Sequence, residues 1–308
     1  MKKVIVTGAN GFLGAAICKE LLLHDVEIIA LVRENTTVIN PVLGHRNVRV
    51  IHCDLSNYKK IPNLVKDKDI DVVYHLAWNG ASGALRSDVN VQISNVIFTC
   101  DLVNSCAELS CRRFVFAGSI MEYEVSELMR TDSSPYLNTL YSSAKIASDY
   151  MARALAQSLG IDYIRACISN IYGPGEVSPR LVNTSIRKML NGEHCSFTSG
   201  EQFYDFIFIT DAAKAFVALG SQGKPNKCYY IGSQKPRPLK DFLLMIRDCV
   251  NPRLDIGLGE IPFSGVSLNY NEFDIYALKK DCGFVPKVNF TDGINRTVIW
   301  LRENLNEF

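Results

Sequence analysis

The chain has 308 residues, of which 47% are hydrophobic and 21% charged, and its formal net charge at pH 7 is +1. This is the composition of a globular protein long enough for one large domain or two closely packed ones, and the near-neutral charge argues against a nucleic-acid partner or an anionic membrane surface. No apolar run reaches the roughly 18 residues that a membrane-spanning helix needs. The N-terminus shows no signal-peptide cleavage pattern, so we expect a cytoplasmic protein.

The first half of the chain alternates between short β-branched runs and longer stretches of helical period. Strands are predicted at 4–7, 27–32, 48–53, 72–76, 114–117 and 162–167, with helices between them at 12–23, 89–109 and 142–159. Regular alternation of strand and helix is typical of α/β proteins with a doubly wound parallel sheet that is covered on both faces.

The regular alternation of strands and helices ends near Asn170, where the turn-rich segment NIYGPGEVSP begins. Beyond this break we predict helices at 180–192, 211–220 and 238–250, and strands at 205–210 and 228–232. The second half is more irregular, as expected of a substrate-binding region built on loops.

The ten cysteines are scattered, with no CxxC pair and no histidine at the spacing of a zinc site. Cysteine in apolar surroundings behaves as a small hydrophobic residue. We therefore expect reduced thiols in the core, and no metal site is predicted.

Three glycines, Gly8, Gly11 and Gly14, stand three residues apart between the first predicted strand and the first helix. Glycine permits the tight turn at the first position, the approach of a diphosphate at the second, and close packing of the helix on the strand at the third. The free N–H groups and the positive dipole end of the helix then favour an anion. The stretch predicts that residues 1–169 form a dinucleotide-binding domain. Residues 170–308 would form a smaller α/β substrate-binding region, part of which, at about 206–232, packs back on the first domain.

A second motif is YSSAK, in which Tyr141 and Lys145 are four residues apart near the start of a predicted helix and so share one face. A nearby ammonium favours the phenolate and lowers the pKa of a phenol from its usual value near 10. Ser119 lies at the C-terminal end of its strand, where it could share the proton or polarise a substrate oxygen. These three side chains suit proton transfer at a hydroxyl while hydride moves between its carbon and a nicotinamide.

The order of these motifs resembles the extended branch of the short-chain dehydrogenase/reductases, a family that includes nucleotide-sugar epimerases, dehydratases and ketoreductases. The resemblance covers nearly the whole chain, through TGANGFLG, CDL, YHLAW, RFVFAGS, YSSAK, SNIYGPG and DFIFITDAAKAF. It implies a Rossmann fold and Ser119, Tyr141 and Lys145 as catalytic residues. It also implies cofactor contacts from the glycine turn, later strand ends, a long helix and the catalytic pair, namely Gly8, Asn10, Gly11, Phe12, Leu13, Gly14, Asp54, Leu55, Leu76, Ala77, Asn95, Tyr141 and Lys145.

The end of the second predicted strand departs from the pattern of the NAD-preferring members, which usually carry an acidic residue there. This chain has Val32 at that position, with Arg33 directly after it. An arginine can accommodate the 2′-phosphate of NADP. Arg33 therefore joins the predicted cofactor residues and favours NADP(H), while NAD(H) stays an alternative if Arg33 only stacks on the adenine or faces solvent.

The residues after Ser119 bear on the reaction. Sugar-nucleotide 4,6-dehydratases of the family carry an acidic pair there, where this chain has Ile120 and Met121. A dehydratase is therefore disfavoured, and Glu122, one position later, is given no role. A nucleotide-sugar 4-ketoreductase or 4-epimerase needs only the three catalytic side chains and the nicotinamide, and segments of the second half resemble the deoxysugar-nucleotide subgroup.

The handle for a nucleotide-sugar substrate is incomplete. Asn170 matches the asparagine that contacts the diphosphate in the family, but Tyr204 stands in place of the usual arginine and the late Arg-x-Gly-Asp is absent. Candidate substitutes are Arg180, Arg187 and Lys188, although all three could equally belong to a solvated helix face.

Two other functions stay open. The missing arginines would suit an NADPH-dependent reductase of a small non-nucleotide ketone or aldehyde. A non-catalytic NAD(P)-binding scaffold is the other, although the complete set of Ser119, Tyr141 and Lys145 argues against it. The helices at 89–109 and 142–159 carry enough apolar residues for the four-helix homodimer seam of the family, or simply for burial within one chain.

Overall fold

The computed structural model describes residues 1–304 and contains one large sheet and three small ones. The strands are β1 Lys3–Thr7, β2 Glu27–Val32, β3 Val48–His52, β4 Val72–His75, β5 Arg113–Ser119, β6 Asp162–Ile168, β7 Asn170–Tyr172, β8 Ser196–Phe197, β9 Phe203–Tyr204, β10 Phe206–Phe208, β11 Lys227–Ile231, β12 Arg237–Pro238 and β13 Gly257–Leu258. The α-helices are α1 Phe12–Leu22, α2 Ile61–Val65, α3 Val89–Glu108, α4 Glu122–Arg130, α5 Thr139–Ser158, α6 Leu181–Leu190, α7 Ile209–Gln222, α8 Leu239–Val250, α9 Ala277–Cys282 and α10 Phe290–Glu303.

The large sheet has seven strands in the order β11-β6-β5-β4-β1-β2-β3, and every pair in it is parallel. The chain starts in β1 and builds outward in one direction to β3, then returns to β4 and builds outward in the other. The predicted doubly wound parallel sheet is thus confirmed. The strand order reverses between β1 and β4, and crevices at such reversals are where open α/β sheets bind ligands.

Alternate residues of the central strands enter separate cores on the two faces of the sheet. In β1, Val4 and Val6 join the core formed with α1 and α7, whereas Ile5 joins the core formed with α3 and α5. All three side chains are fully buried. Burial on both faces explains why these strands read as continuous apolar runs in the sequence.

The last strand of the large sheet comes from the second half of the chain. Strand β11 pairs with β6 over its whole length, so that Tyr229 lies opposite Ala166. The preceding helix α7 begins at Ile209, directly after β10, and so shortens the strand that we predicted over 205–210. Asp211 is in the first turn of this helix, where a carboxylate is favoured by the helix dipole.

The remaining second half packs helices α6, α8 and α10 against the small strands. Phe206, Phe242 and Phe290 form an aromatic cluster with ring centroids 4.7 to 5.5 Å apart. Helix α4 was not predicted. In its sequence EYEVSELMR the buried residues are the polar Glu122 and Glu124, so the pattern lacks the apolar stripe that predicts an amphipathic helix. Within residues 1–304 no helix has the length and apolarity to cross a bilayer.

Candidate active site

The glycine turn between β1 and α1 is closely packed. Gly8 has a positive φ of 66°, and a Cβ there would lie 3.0 Å from the backbone nitrogen of Ala77. A Cβ on Gly14 would lie only 2.1 Å from the carbonyl oxygen of Gly8. At Gly11, by contrast, the nearest atom to an added Cβ is 3.3 Å away. The first and third glycines are therefore required by packing, whereas the second leaves room in front of the backbone.

Helix α1 begins at this turn with unused donors. Its cap residue, Gly11, has no side chain to accept a bond from the first turn, and its own N–H donates to the Gly8 carbonyl over 3.0 Å. The N–H groups of the first turn and the positive end of the helix dipole are thus available to an anion at the end of β1. These features fit the diphosphate of a dinucleotide.

The loop after β4 forms the opposite wall and is held by a buried threonine. The Thr7 hydroxyl accepts hydrogen bonds from the backbone N–H groups of Leu76 and Ala77, each over 3.1 Å. This hydroxyl also lies 2.9 Å from Nδ1 of the buried His75. These bonds fix Leu76 and Ala77, both predicted cofactor residues, directly after β4 and beside the end of the neighbouring strand β1.

One cleft of about 430 Å³ brings the glycine turn and the predicted catalytic residues together. Ser119 ends β5, and Tyr141 and Lys145 lie one turn apart on α5, as their spacing predicts. The predicted residues that line this cleft are Gly8, Gly11, Phe12, Leu13, Gly14, Arg33, Leu76, Ser119, Tyr141, Lys145 and Arg180. The residues that the sequence marked for phosphate binding and for proton transfer therefore share a single cavity.

Lys145 is buried beside an indole. Its Nζ donates to the Ala117 carbonyl oxygen over 2.8 Å and lies 3.7 Å from the ring centroid of Trp78. The Trp78 indole N–H in turn donates to Gln92 over 3.0 Å. Burial lowers the pKa of the Lys145 ammonium to about 7. Trp78 is thus part of the site, although its only signal in the sequence was its position next to Leu76 and Ala77.

The electrostatics of Tyr141 differ from our expectation. Burial raises the pKa of its phenol, and the nearest cation to its ring is Arg86, whose guanidinium carbon lies 4.0 Å from the ring centroid. Lys145 Nζ is 5.9 Å from that centroid. Arg86, Arg180 and a hydrogen bond from Ser119 lower the pKa of the phenol, but less than burial raises it. The prediction that Lys145 draws this pKa down is therefore wrong for this structure, because the ammonium is directed at the Ala117 carbonyl.

A buried carboxylate fixes the turn that presents Ser119. Glu122 accepts a hydrogen bond from the Ser119 backbone N–H over 2.6 Å and forms an ion pair with Arg165 of β6. The Ser119 hydroxyl accepts a bond from the Met121 N–H over 3.2 Å. Burial raises the pKa of Glu122. We had given Glu122 no role, and the structure gives it a supporting one behind Ser119.

Two further cavities adjoin the cleft near Arg33. One, of about 360 Å³, shares Gly8, Gly11, Arg33 and Leu76 with it and is also lined by Asn10, Leu55 and Ala77. The other, of about 530 Å³, is lined by Arg33, Asp54 and Leu55. Arg33 follows the last residue of β2 and its side chain is exposed. The neighbouring Glu34 carboxylate accepts a hydrogen bond from Asn57 over 2.8 Å.

The predicted cofactor residues Asn10 and Asn95 have other partners in the structure. The Asn10 amide donates to the Val38 carbonyl and accepts from the Asn40 N–H, and thereby holds the loop after β2. Asn95 is buried in α3, and its amide donates to the Asn79 carbonyl over 2.9 Å and accepts from the Asn79 N–H over 3.0 Å. Asn95 is not among the residues that line these three cavities, and its contact with a cofactor stays a prediction.

The predicted substrate residues line a separate cavity of about 530 Å³, between the small strands and α6. Asn170 and Tyr204 line it, and Arg180 lines both this cavity and the cleft that contains Ser119, Tyr141 and Lys145. The Asn170 amide donates to the Asp205 carbonyl over 3.1 Å. Arg180 Nε lies 3.5 Å from a carboxylate oxygen of Glu176, and half of its side-chain surface is exposed.

Comparison with known proteins agrees with this architecture. The model of the NAD dependent epimerase/dehydratase family matches residues 4–232, and the chain belongs to this family of enzymes. A putative UDP-glucose 4-epimerase of Methanocaldococcus jannaschii is 26% identical over 98% of this chain and 99% of its own.

The chain is also similar to a longer plant protein and to a solved bacterial structure. A trifunctional UDP-glucose 4,6-dehydratase/UDP-4-keto-6-deoxy-D-glucose 3,5-epimerase/UDP-4-keto-L-rhamnose-reductase of Arabidopsis thaliana is 22% identical over 98% of this chain, which spans 48% of that protein's length. The crystal structure of the Bordetella bronchiseptica enzyme WbmF in complex with NAD+ and UDP superposes with a TM-score of 0.82 at 22% identity, over 99% of this chain and 94% of that one. At this identity the likeness concerns the fold.

Proposed function

We propose that the chain catalyses NAD(P)-dependent oxidation and reduction at a sugar carbinol or ketone, as a nucleotide-sugar 4-ketoreductase or 4-epimerase. The observation that carries the proposal is the single cleft that contains both the glycine turn and the side chains of Ser119, Tyr141 and Lys145. Family membership supports the same class of chemistry.

The residues present fit a nicotinamide dinucleotide, which would supply the site that accepts or donates hydride. Its diphosphate would bind the N–H groups of the turn from Gly8 to Gly14. Tyr141 would take a proton from the substrate hydroxyl during oxidation and return it during reduction, and Ser119 would polarise the same oxygen. Lys145, held in the cleft by the Ala117 carbonyl, would hydrogen-bond the ribose and orient the nicotinamide.

The carboxylates near Ser119 do not favour dehydration. Ile120 and Met121 carry no acid or base at the positions where the resemblance implies one in dehydratases. Glu122 is buried and ion-paired with Arg165, and Glu176, which lines the cleft, accepts both hydrogen bonds of Ser178. Because each carboxylate already has a partner, a reaction that needs only a proton and a hydride suits this site better.

For the cofactor we propose a preference for NADP(H). Arg33 lies at the junction of the three cavities beside the glycine turn, and the nearest acid in sequence, Glu34, is bound to Asn57. Arg33→Ala should weaken NADPH binding about tenfold or more and leave NADH binding nearly unchanged, since one charge-assisted contact to a phosphate is worth about 1.5–3 kcal/mol. Equal affinity of the parent chain for the two reduced cofactors would refute this preference.

For the substrate we propose a nucleotide-activated hexose. Arg180 lines both the catalytic cleft and the cavity that contains Asn170 and Tyr204. Its guanidinium could bind the diphosphate of a substrate whose sugar lies in the catalytic cleft and whose nucleoside lies in the other cavity. The structure of WbmF, which has the same fold, contains UDP, and this supports a substrate that includes a nucleotide. Arg180 takes the place of the arginines that the sequence lacks.

We also propose a homodimer in the cytoplasm. On α3, Val89, Ile93 and Ile97 are 48%, 54% and 52% exposed at a spacing of four residues, which makes an apolar stripe. Helix α5 packs beside α3 and exposes Tyr150 and Met151. A stripe of this kind is typical of an interface, and free cysteines suit a reducing compartment. Ile97→Glu should shift the mass in sedimentation to that of one chain, and an unchanged mass would contradict this interface.

The deciding experiment incubates the purified chain with NADPH and a panel of nucleotide-activated 4-ketohexoses, and in parallel with NADP+ or NAD+ and the corresponding 4-hydroxyhexoses. A ketoreductase oxidises one NADPH for each ketohexose that it reduces, so the NADPH absorbance falls. An epimerase interconverts two hexoses without net consumption of the cofactor. Tyr141→Phe should lower kcat by about 10² to 10⁴ and leave cofactor binding nearly intact. Tyr276→Phe, at a tyrosine 66% exposed, is the matched control. Turnover of simple ketones alone would favour the non-nucleotide reductase, and full activity of Tyr141→Phe would overturn the assigned acid/base.

A further inference from the structure

The loop between β4 and α3 brings an arginine against the ring of Tyr141. Arg86 belongs to a 3₁₀ turn, Ala84–Ser87, and its guanidinium carbon lies 4.0 Å from the Tyr141 ring centroid. The guanidinium also donates to the Ala81 carbonyl over 3.1 Å. A cation over an aromatic face at this distance is attracted to the ring, and more strongly so when the ring carries negative charge.

The loop itself is tied down at three points. The buried Gln92 donates to the carbonyls of Gly80 and Leu85, each over 3.0 Å. Ser87 donates to Asn138 over 3.0 Å, and Asn138 is the residue that precedes α5, the helix of Tyr141. The position of Arg86 over the phenol is therefore fixed by the loop and by the start of the same helix.

Several other charged and titratable groups face Tyr141. Lys145 Nζ is 5.9 Å from the ring centroid, Glu122 opposes ionisation of the phenol, and Arg180 and the Ser119 hydroxyl favour it. Arg86 also acts electrostatically on Tyr136, whose hydroxyl donates a hydrogen bond to Glu124. The Arg86 guanidinium carbon lies 1.9 Å closer to the centroid of the Tyr141 ring than Lys145 Nζ does.

We propose that Arg86 is a positioning residue for the acid/base step, and that its guanidinium, held on the ring of Tyr141, stabilises the phenolate. Leu76, Trp78, Ala81 and Ser82 of this loop line the cleft and Arg86 does not, so the arginine acts through the phenol rather than on the substrate. The kinetic part of this inference rests on the proposed function, whereas its electrostatic part does not.

The test compares Arg86→Gln, which removes the charge, with Arg86→Lys, which keeps it. Arg253→Gln, at an exposed position after α8, is the matched control. The readout is the phenolate absorbance of Tyr141 after a rapid jump to alkaline pH, taken as the difference from the same variant carrying Tyr141→Phe, because the chain has 13 tyrosines. We expect the pKa of Tyr141 to rise by about one unit in Arg86→Gln and by much less in Arg86→Lys.

The parent chain offers a second measurement that does not depend on how the variants fold. Salt screens a half-exposed charge, so the pKa of Tyr141 should rise between about 0.01 M and about 1 M salt. A pKa that is unchanged both in a folded Arg86→Gln and across this range of salt overturns the inference.

Kinetics then separate this inference from the proposed function. If a substrate is turned over, Arg86→Gln should move the alkaline pH dependence of kcat by the same one unit, a tenfold loss near neutral pH, with KM nearly unchanged. A shifted phenolate titration without turnover of any substrate would refute the proposed function alone. Turnover with an unshifted titration would refute the role of Arg86 alone.

Discussion

Gly14 offers the sharpest test of the packing of the glycine turn, because the structure gives the contact that a methyl group would make. The Cβ of Gly14→Ala would lie 2.1 Å from the Gly8 carbonyl oxygen and 2.8 Å from the Ala9 Cα, whereas real Cβ atoms essentially never come closer than 3.0 Å. Helix α1 must therefore move away from the backbone of the turn at Gly8 by about 0.9 Å, the difference between 3.0 and 2.1 Å. Both contacts are with backbone atoms, so no side chain can rotate to relieve them.

The magnitude follows from two opposing effects. Overpacking of this kind costs about 3 kcal/mol at the upper end of its usual range, while alanine in a helix is favoured over glycine by about 1 kcal/mol. The free energy of unfolding should thus fall by about 2 kcal/mol. Because the entropy of unfolding is about 0.65 kcal/mol/K for a chain of 308 residues, the midpoint of thermal unfolding should fall by roughly 3 °C. Circular dichroism during heating measures the change.

Gly11→Ala is the matched control in the same turn. Its Cβ would meet only the Gly8 oxygen, at 3.3 Å, and its φ of −80° suits any residue. We expect nearly parental stability but dinucleotide binding weakened about tenfold or more, because the methyl group would occupy the approach of the diphosphate. A Gly14→Ala chain as stable as the parent would refute the packing argument, and undiminished binding by Gly11→Ala would refute the placement of the diphosphate.

The remaining predictions concern Lys145 and Asn95. The pKa of Lys145 falls from 10.5 to about 7 on folding, so between these values the unfolded chain binds the extra proton and the free energy of unfolding rises with pH. In urea titrations, the free energy of unfolding of the parent minus that of Lys145→Met should therefore rise by about 2 kcal/mol from pH 7 to pH 9. If this difference does not change with pH, the ammonium is not buried. Asn95→Ala leaves the Asn79 N–H and carbonyl without partners and should cost about 2–3 kcal/mol, with weaker dinucleotide binding as the loop loosens. Asn95→Asp keeps only the acceptor, so its free energy of unfolding should lie between those of the parent and Asn95→Ala. Parental stability of both variants would show that the two Asn95–Asn79 hydrogen bonds do not stabilise the loop.

Much of the first half could be predicted from the sequence because its signals are local. The β-branched runs specified β1 to β6 to within one or two residues at most ends, and the four-residue spacing placed Tyr141 and Lys145 on one helical face. Helix α4 could not be predicted because its buried residues are two glutamates rather than apolar side chains. Their partners are distant in the chain, as Arg165 is for Glu122.

The sequence by itself determined the turn of Gly8, Gly11 and Gly14 and the side chains able to move a proton, because each depends on neighbours within a few residues. Only the tertiary structure decided which cation meets the phenol, since Arg86 approaches Tyr141 from a loop 55 residues earlier (141 − 86) while Lys145 turns to the Ala117 carbonyl. It likewise directed Asn95 to the backbone of Asn79. Partners of this kind are set by how loops pack across the ends of the sheet, and no local pattern encodes that packing.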